Sequence, residues 1–292
     1  MATASVNGID ICYETRGEAT DPPLLMIAGL GMQLVGWGDD VLERFAREGL
    51  YVVVYDNRDI GLSTHLDGAG LPDLLSVVGH PGAEVPYRLA AMADDAAALL
   101  DHLDAAPAHV LGVSMGGMIA QELAIRHPDK VRSLVSIMST TGAADVGQPL
   151  PEAAAQLLRA SPADREAAIA MSLDISRVIG SPGFSLDAER EARMAGEAYD
   201  RSHDPAGVAR QLAAVLASPD RTAGLASVAV PTLVVHGRED PLITPSGGRA
   251  TADAIPGAEL MMIEGVGHSI PDQLWDKIVV GVVATAGAAG QP

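Results

Sequence analysis

Short runs of consecutive apolar residues recur along this chain, separated by helical segments, and that rhythm restricts the fold more than any other feature. The runs are Leu24-Leu25-Met26-Ile27-Ala28, Tyr51-Val52-Val53-Val54-Tyr55, Val110-Leu111-Gly112-Val113-Ser114, residues 131–138, Thr232-Leu233-Val234-Val235-His236 and residues 259–263. Strands that are apolar on both sides must be covered on both sides. Alternation with helices therefore predicts an α/β fold, a parallel sheet between two helical layers. The helices are expected over residues 37–47, 89–103, 115–126, 247–254 and 273–283. Trp37, Val41, Leu42 and Phe45 share one face of the first. Residues 6–13 alternate instead, which reads as the start of an antiparallel edge hairpin.

The rhythm stops after Thr140. Helical patterning over residues 152–159, 163–171, 187–199 and 205–217, punctuated by prolines, has no buried strand between its segments. Two units are expected: a core of residues 1–139 and 222–292, and an inserted helical subdomain of residues 140–221. Residues 285–292 are mostly small and are expected to fray.

The strand-to-helix junction at residue 114 carries the first chemical signal. Gly112-Val113-Ser114-Met115-Gly116-Gly117 is a G-x-S-x-G pattern, and its glycines remove side chains that would clash in a sharp elbow presenting the serine hydroxyl. A serine needs a base within hydrogen-bond reach, and the base needs an acid that fixes its tautomer. In open α/β sheets such groups sit past the carboxyl ends of strands. Asp240 follows one late strand in Gly237-Arg238-Glu239-Asp240-Pro241, and His268 follows the next in Gly265-Val266-Gly267-His268. Glu239 competes with Asp240 as the acid. His236 reads as a packed structural histidine, and His65, His80, His102, His109 and His203 lack metal-ligand spacing. Asp56, Arg58 and Asp59 read as an ion-paired loop brace.

With these motifs in the order Ser114, Asp240, His268, the chain resembles the α/β-hydrolase superfamily over nearly its whole length. Tyr55-Asp56-Asn57-Arg58-Asp59-Ile60-Gly61-Leu62-Ser63-Thr64, the Gly29/Gly31 loop and the inserted helices make it similar to the aclacinomycin methylesterase-like branch. Members of that branch are capped carboxylesterases acting on methyl esters of aromatic polyketides. The resemblance implies an α/β-hydrolase fold with a mostly parallel eight-stranded sheet, helices on both faces and an inserted helical cap. It also implies ester hydrolysis through an acyl-enzyme, with Ser114, Asp240 and His268 catalytic and no cofactor or metal. The N–H groups of Leu30 and Met115 would form the oxyanion hole. Many relatives carry His-Gly where this chain has Ala28-Gly29, which alters the packing of the loop but not its main-chain donors. Gly29, Gly31, Met171 and Met194 are candidates for the substrate pocket. Lactonase, carbon–carbon bond hydrolase and cofactor-free perhydrolase or haloperoxidase chemistry remain open on the same residues, as does a non-catalytic ligand receptor.

The partner that the resemblance implies is a small-molecule ester, and composition disfavours the larger alternatives. Thirty-eight acids against 19 bases give a net charge of −19, which repels nucleic acid and anionic membranes. Cys12 is the only cysteine, so there is no disulfide framework and no cysteine-based zinc site. No signal peptide or membrane span is read, and a cytoplasmic location is expected. A homo-oligomer is left open.

Overall fold

The computed structural model describes residues 1–78, 80 and 83–290. Its chain begins with an antiparallel hairpin, β1 (Ala2–Val6) and β2 (Ile9–Arg16), turned by Asn7 and Gly8 at φ 48° and 78°. Two residues at positive φ match the twist of a tight hairpin. There follow β3 (Pro23–Ile27), α1 (Asp39–Arg47), β4 (Tyr51–Tyr55), the short α2 (Leu74–Val77), α3 (Leu89–His102), β5 (Ala108–Val113), α4 (Met115–Arg126) and β6 (Val131–Ile137). Four helices come next: α5 (Pro151–Leu157), α6 (Arg165–Ile179), α7 (Ala188–Arg201) and α8 (Pro205–Ala217). The chain closes with α9 (Thr222–Leu225), β7 (Thr232–Gly237), α10 (Pro245–Ala254), β8 (Glu259–Ile263) and α11 (Trp275–Ala288).

One eight-stranded sheet runs β1-β2-β4-β3-β5-β6-β7-β8. β1 and β2 pair antiparallel, β2 meets β4 antiparallel, and all other neighbours are parallel. The apolar runs explain the layers. Leu25, Ile27, Val53, Tyr55 and Val110 face α3 and α4, where Met92, Leu99, Leu100 and Ile119 receive them. Their neighbours Leu24, Met26, Val52, Val54 and Leu111 face the other way, onto Val41, Leu42 and Phe45 of α1 and Ile278, Val279 and Val282 of α11. Both sides of β3, β4 and β5 are thus buried, as the lack of alternation requires, whereas β8, at the edge of the sheet, leaves Glu259 and Leu260 exposed.

Two expectations need correction. Residues 37–47 are not one helix. Leu34–Trp37 is a separate 3-10 turn, Gly38 breaks the chain at φ 78°, and α1 starts at Asp39. Trp37 still faces the core, edge-to-face with Trp275 at 6.3 Å. The C-terminal segment does not fray from residue 285, because α11 continues to Ala288. Alanines favour the helix there, and the Thr285 hydroxyl donates to the Gly281 carbonyl at 2.8 Å. Residues 291–292 lie outside the described residues.

The chain leaves β3 toward β4 on one side, and β5 lies on the other. That reversal opens a crevice beyond the carboxyl ends of β3 and β5, where open α/β sheets bind ligands. Among the described residues no helix is long and apolar enough to cross a membrane.

Candidate active site

Ser114 occupies the single residue between β5 and α4, at φ 54° and ψ −119°. A side chain at positive φ is strained, and it persists only where the surroundings impose it. Here they do. The Ser114 N–H donates to the Ile137 carbonyl at 2.9 Å, and the Ser139 hydroxyl donates to the Ser114 carbonyl at 2.9 Å. Gly116 allows α4 to sit against β3, since a Cβ there would lie 2.0 Å from the Ile27 carbonyl oxygen.

The two later loops converge on this hydroxyl. His268 Nε2 is 2.9 Å from Ser114 Oγ, and its Nδ1 is 2.8 Å from Asp240 Oδ2. The carboxylate accepts from Nδ1–H, which leaves Nε2 free to accept the serine proton. Asp240 is buried and held by its own turn, its Oδ1 accepting from the N–H groups of Leu242 (2.9 Å) and Ile243 (3.0 Å). Glu239 is exposed, and the contact to His268 Nδ1 is made by Asp240. His236 is buried, donates from Nε2 to the Ile243 carbonyl at 2.8 Å, and is pushed toward the neutral form by that burial. It packs under the Asp240 turn.

The loop after β3 lies against the elbow. A Cβ on Gly29 would stand 3.4 Å from the Val113 carbonyl oxygen and 3.5 Å from Ser114 Cβ. Neither the Leu30 N–H nor the Met115 N–H meets a protein acceptor among the described residues. The Ala28 carbonyl accepts from Asn57 Nδ2 at 3.1 Å, and the Gly31 N–H donates to Gln211 Oε1 at 3.0 Å. Met171 and Met194 lie half-buried on α6 and α7, which pack together, and the polar contacts that build the site involve neither.

Three features were not legible as site elements in the sequence. The first is the support of the His268 loop by the inserted segment. The His268 N–H donates to the Ile179 carbonyl at 2.6 Å, the Gly267 N–H donates to Ser181 Oγ at 3.0 Å, and the Ser181 hydroxyl donates to the Ser269 carbonyl at 2.7 Å. The second is Gln211. The third is the set of partners for the loop after β4. Asp56 pairs with Arg201 at 2.7 Å, Asp59 with Arg210 at 2.8 Å and Arg58 with Asp95 at 2.6 Å. Two of these reach from the core to α7 and α8. The aspartates were visible as a brace, but nothing local marks Arg201 and Arg210, some 150 residues away, as their partners.

Asp59, His65 and Asp204 come within 4.8 Å of one another, a proximity that spacing along the chain does not announce. The Arg210 guanidinium already supplies the cation there, 2.8 Å from Asp59 Oδ1 and 3.3 Å from Asp204 Oδ2, and His65 Nδ1 meets Asp204 at 2.6 Å.

The profile of a family described as alpha/beta hydrolase fold matches residues 22–273. Over 96% of this chain and 96% of its own length, the rhodomycin D methylesterase DauP of Streptomyces sp. (strain C5) is 30% identical. The 3-oxoadipate enol-lactonase 2 of Acinetobacter baylyi is 27% identical over 90% of this chain and 88% of its own. Among solved structures, the enol-lactonase from Burkholderia xenovorans LB400 superposes with a TM-score of 0.73 at 23% identity, covering 98% of this chain and 100% of that one. Sheet order, elbow and matched length agree: the chain belongs to the α/β-hydrolase fold family.

Proposed function

We propose that the chain is a serine-dependent carboxylic ester hydrolase whose substrate is a methyl ester of a hydrophobic, polyketide-like small molecule. The observation that carries this reading is the unbroken series Ser114 Oγ, His268 Nε2, His268 Nδ1, Asp240 Oδ2, with contacts of 2.9 and 2.8 Å. The similarity to rhodomycin D methylesterases supports the substrate class. In this reading the three residues form a catalytic triad. Ser114 Oγ attacks the ester carbonyl carbon while its proton passes to His268 Nε2. Charge developing on the carbonyl oxygen is met by the N–H groups of Leu30 and Met115, an oxyanion hole at the N-terminus of α4. The imidazolium protonates the departing methoxide, and methanol leaves an acyl-Ser114. Water, deprotonated by the same Nε2, then releases the acid and restores the serine. Residues 140–221 act as the cap over the crevice, with Gly29, Gly31, Met171 and Met194 toward the substrate. A cytoplasmic site of action fits a chain with one free cysteine.

Ser114→Ala tests the reading. It is expected to abolish hydrolysis of p-nitrophenyl butyrate and of an aromatic polyketide methyl ester in a folded protein, and to abolish labelling by an organophosphonate. Retained turnover overturns it. The enol-lactonase relative favours one second reading, ring-opening of a lactone by the same residues. Turnover of an enol-lactone with none of the methyl ester would select it.

A further inference from the structure

We propose that Gln211, on the inserted helix α8, is a positioning residue for the oxyanion loop: by fixing the Gly31 N–H it aims the neighbouring Leu30 N–H at the carbonyl oxygen bound over Ser114. The inference rests on the hydrolytic reading above.

Gln211 is fully buried. A buried primary amide is tolerated where both its ends are bonded, and such bonding specifies geometry. Here Oε1 accepts from the Gly31 N–H at 3.0 Å and Nε2 donates to the Arg58 carbonyl at 2.8 Å. One turn earlier on α8, Val208 packs on the same residue, its Cγ2 3.4 Å from where a Gly31 Cβ would stand. Gly31 is at φ 69°, in the left-handed region. Glycine itself has little preference for one hand, so contacts rather than propensity set the path of the loop. From the core side, Asn57 holds the Ala28 carbonyl at 3.1 Å and the Met32 N–H closes onto the Gly29 carbonyl at 3.2 Å. Leu30 lies between these two anchorages. The core provides one of them and the inserted segment provides the other. Farther along, Gln33 binds α7, donating to the Ala198 and Ser202 carbonyls at 2.7 and 2.9 Å, but Gln211 acts on the loop itself. Oxyanion donors act through preorganisation, so loss of the Gln211 contact is expected to appear in the chemical step more than in binding.

Two substitutions separate this role from packing. Gln211→Met keeps the approximate volume and removes both bonds. Gln211→Glu keeps an oxygen for the Gly31 N–H. With p-nitrophenyl butyrate, Gln211→Met is expected to lower kcat about 10- to 100-fold with KM within about threefold, since a displacement near 1 Å has that scale of effect. Gln211→Glu is expected to recover most of that kcat. A folded Gln211→Met protein with kcat within about threefold of native, or a loss confined to KM, overturns the proposal. Equal loss in both variants also overturns it, since the oxygen that Gln211→Glu keeps for the Gly31 N–H would then make no difference. The hydrolytic reading fails separately, through an active Ser114→Ala. Should Gln211→Met not fold, amide hydrogen exchange on the native protein decides. Gly31 is expected to be protected without ligand, and Leu30 to become protected only when a boronic acid adds to Ser114. Equal exchange of both amides in the free protein refutes the anchorage.

Discussion

Ser114 holds a conformation that glycine would adopt more easily, so removing its Cβ should stabilise the fold while ending catalysis. The perturbation is Ser114→Gly, with Ser114→Ala as the reference. Both variants lose the 2.9 Å contact to His268 Nε2 and the hydroxyl proposed as nucleophile. They differ in that alanine keeps a Cβ at φ 54° and glycine does not. Holding a residue with a side chain there costs about 1–3 kcal/mol. Glycine gives back about 0.5–1 kcal/mol through the extra freedom of the unfolded chain. The difference favours Ser114→Gly over Ser114→Ala by up to about 2.5 kcal/mol and by about 1 kcal/mol at mid-range, or roughly 2–4 °C in Tm at that mid-range for a chain of this size. Calorimetry and urea denaturation at pH 7 measure it, with p-nitrophenyl butyrate turnover absent in both variants. If Ser114→Gly melts at or below the temperature of Ser114→Ala, the elbow stores no strain and the argument from φ is wrong.

Asp240→Asn preserves the shape of the turn but not the carboxylate that selects the Nδ1–H tautomer of His268. Its kcat is expected to fall by about three to four orders of magnitude with a near-native melting profile, and a smaller loss than tenfold would remove Asp240 from the series. Arg210→Met strands the buried Asp59 carboxylate and is expected to cost about 3–5 kcal/mol in urea denaturation. The pair Asp59→Asn/Arg210→Met, which keeps a residue tolerant of φ 68° at position 59, is expected to recover most of it. Equal stability of the single and double variants counts against an ion-pair brace. His109, buried in β5 beside Ser133, has its pKa pushed down to about 4 by burial and by Arg132. Between about pH 6.5 and that value the unfolded chain binds a proton that the folded chain refuses, so stability falls as pH drops. From pH 7 to 5 this side chain accounts for about 2 kcal/mol, and His109→Asn should flatten the fall by that amount. An equally steep decline in the variant would show that other groups govern the acid limb.

Strands and elbow were legible because their signals are local. Six apolar runs bounded by glycine, proline and charge need no distant information to be read as buried strands. Gly112 and Gly116 announce a turn, and the demand at Gly112 is local, set by the Gly116 carbonyl four residues on, although that at Gly116 comes from β3. Asp240 and His268 were legible for a related reason: each follows its strand closely, and parallel topology brings the carboxyl ends of all such strands to one rim. What stayed hidden depends on how the inserted helices dock. Gln211 sits in a helix of alanines, valines and leucines, where a lone amide reads as a tolerated polar residue. Its meaning comes from Gly31, 180 positions earlier. Ser181 likewise lies in a Gly-Ser-Pro-Gly turn that reads as a linker, and only the fold puts its hydroxyl under Gly267. The break at Gly38 is hidden in the sequence because the apolar spacing from Trp37 to Phe45 continues across it.

The inserted helices leave the sheet after β6 and rejoin it at β7, and those strands are neighbours. An excursion between adjacent strands leaves the register of the sheet unaffected, so in architectural terms it is an exchangeable module, and recombination between relatives could replace it without unravelling the core. Chemistry makes the exchange conditional. A donor module must bring a carbonyl where Ile179 stands, a hydroxyl where Ser181 stands and an amide where Gln211 stands, or, with the inserted helices acting as the proposed cap, the recipient inherits a new pocket above a loosened histidine and a slack loop. Grafted chimaeras of this fold are therefore expected to divide into two groups, folded but idle when those three contacts are missing, and active with altered selectivity when they are carried across.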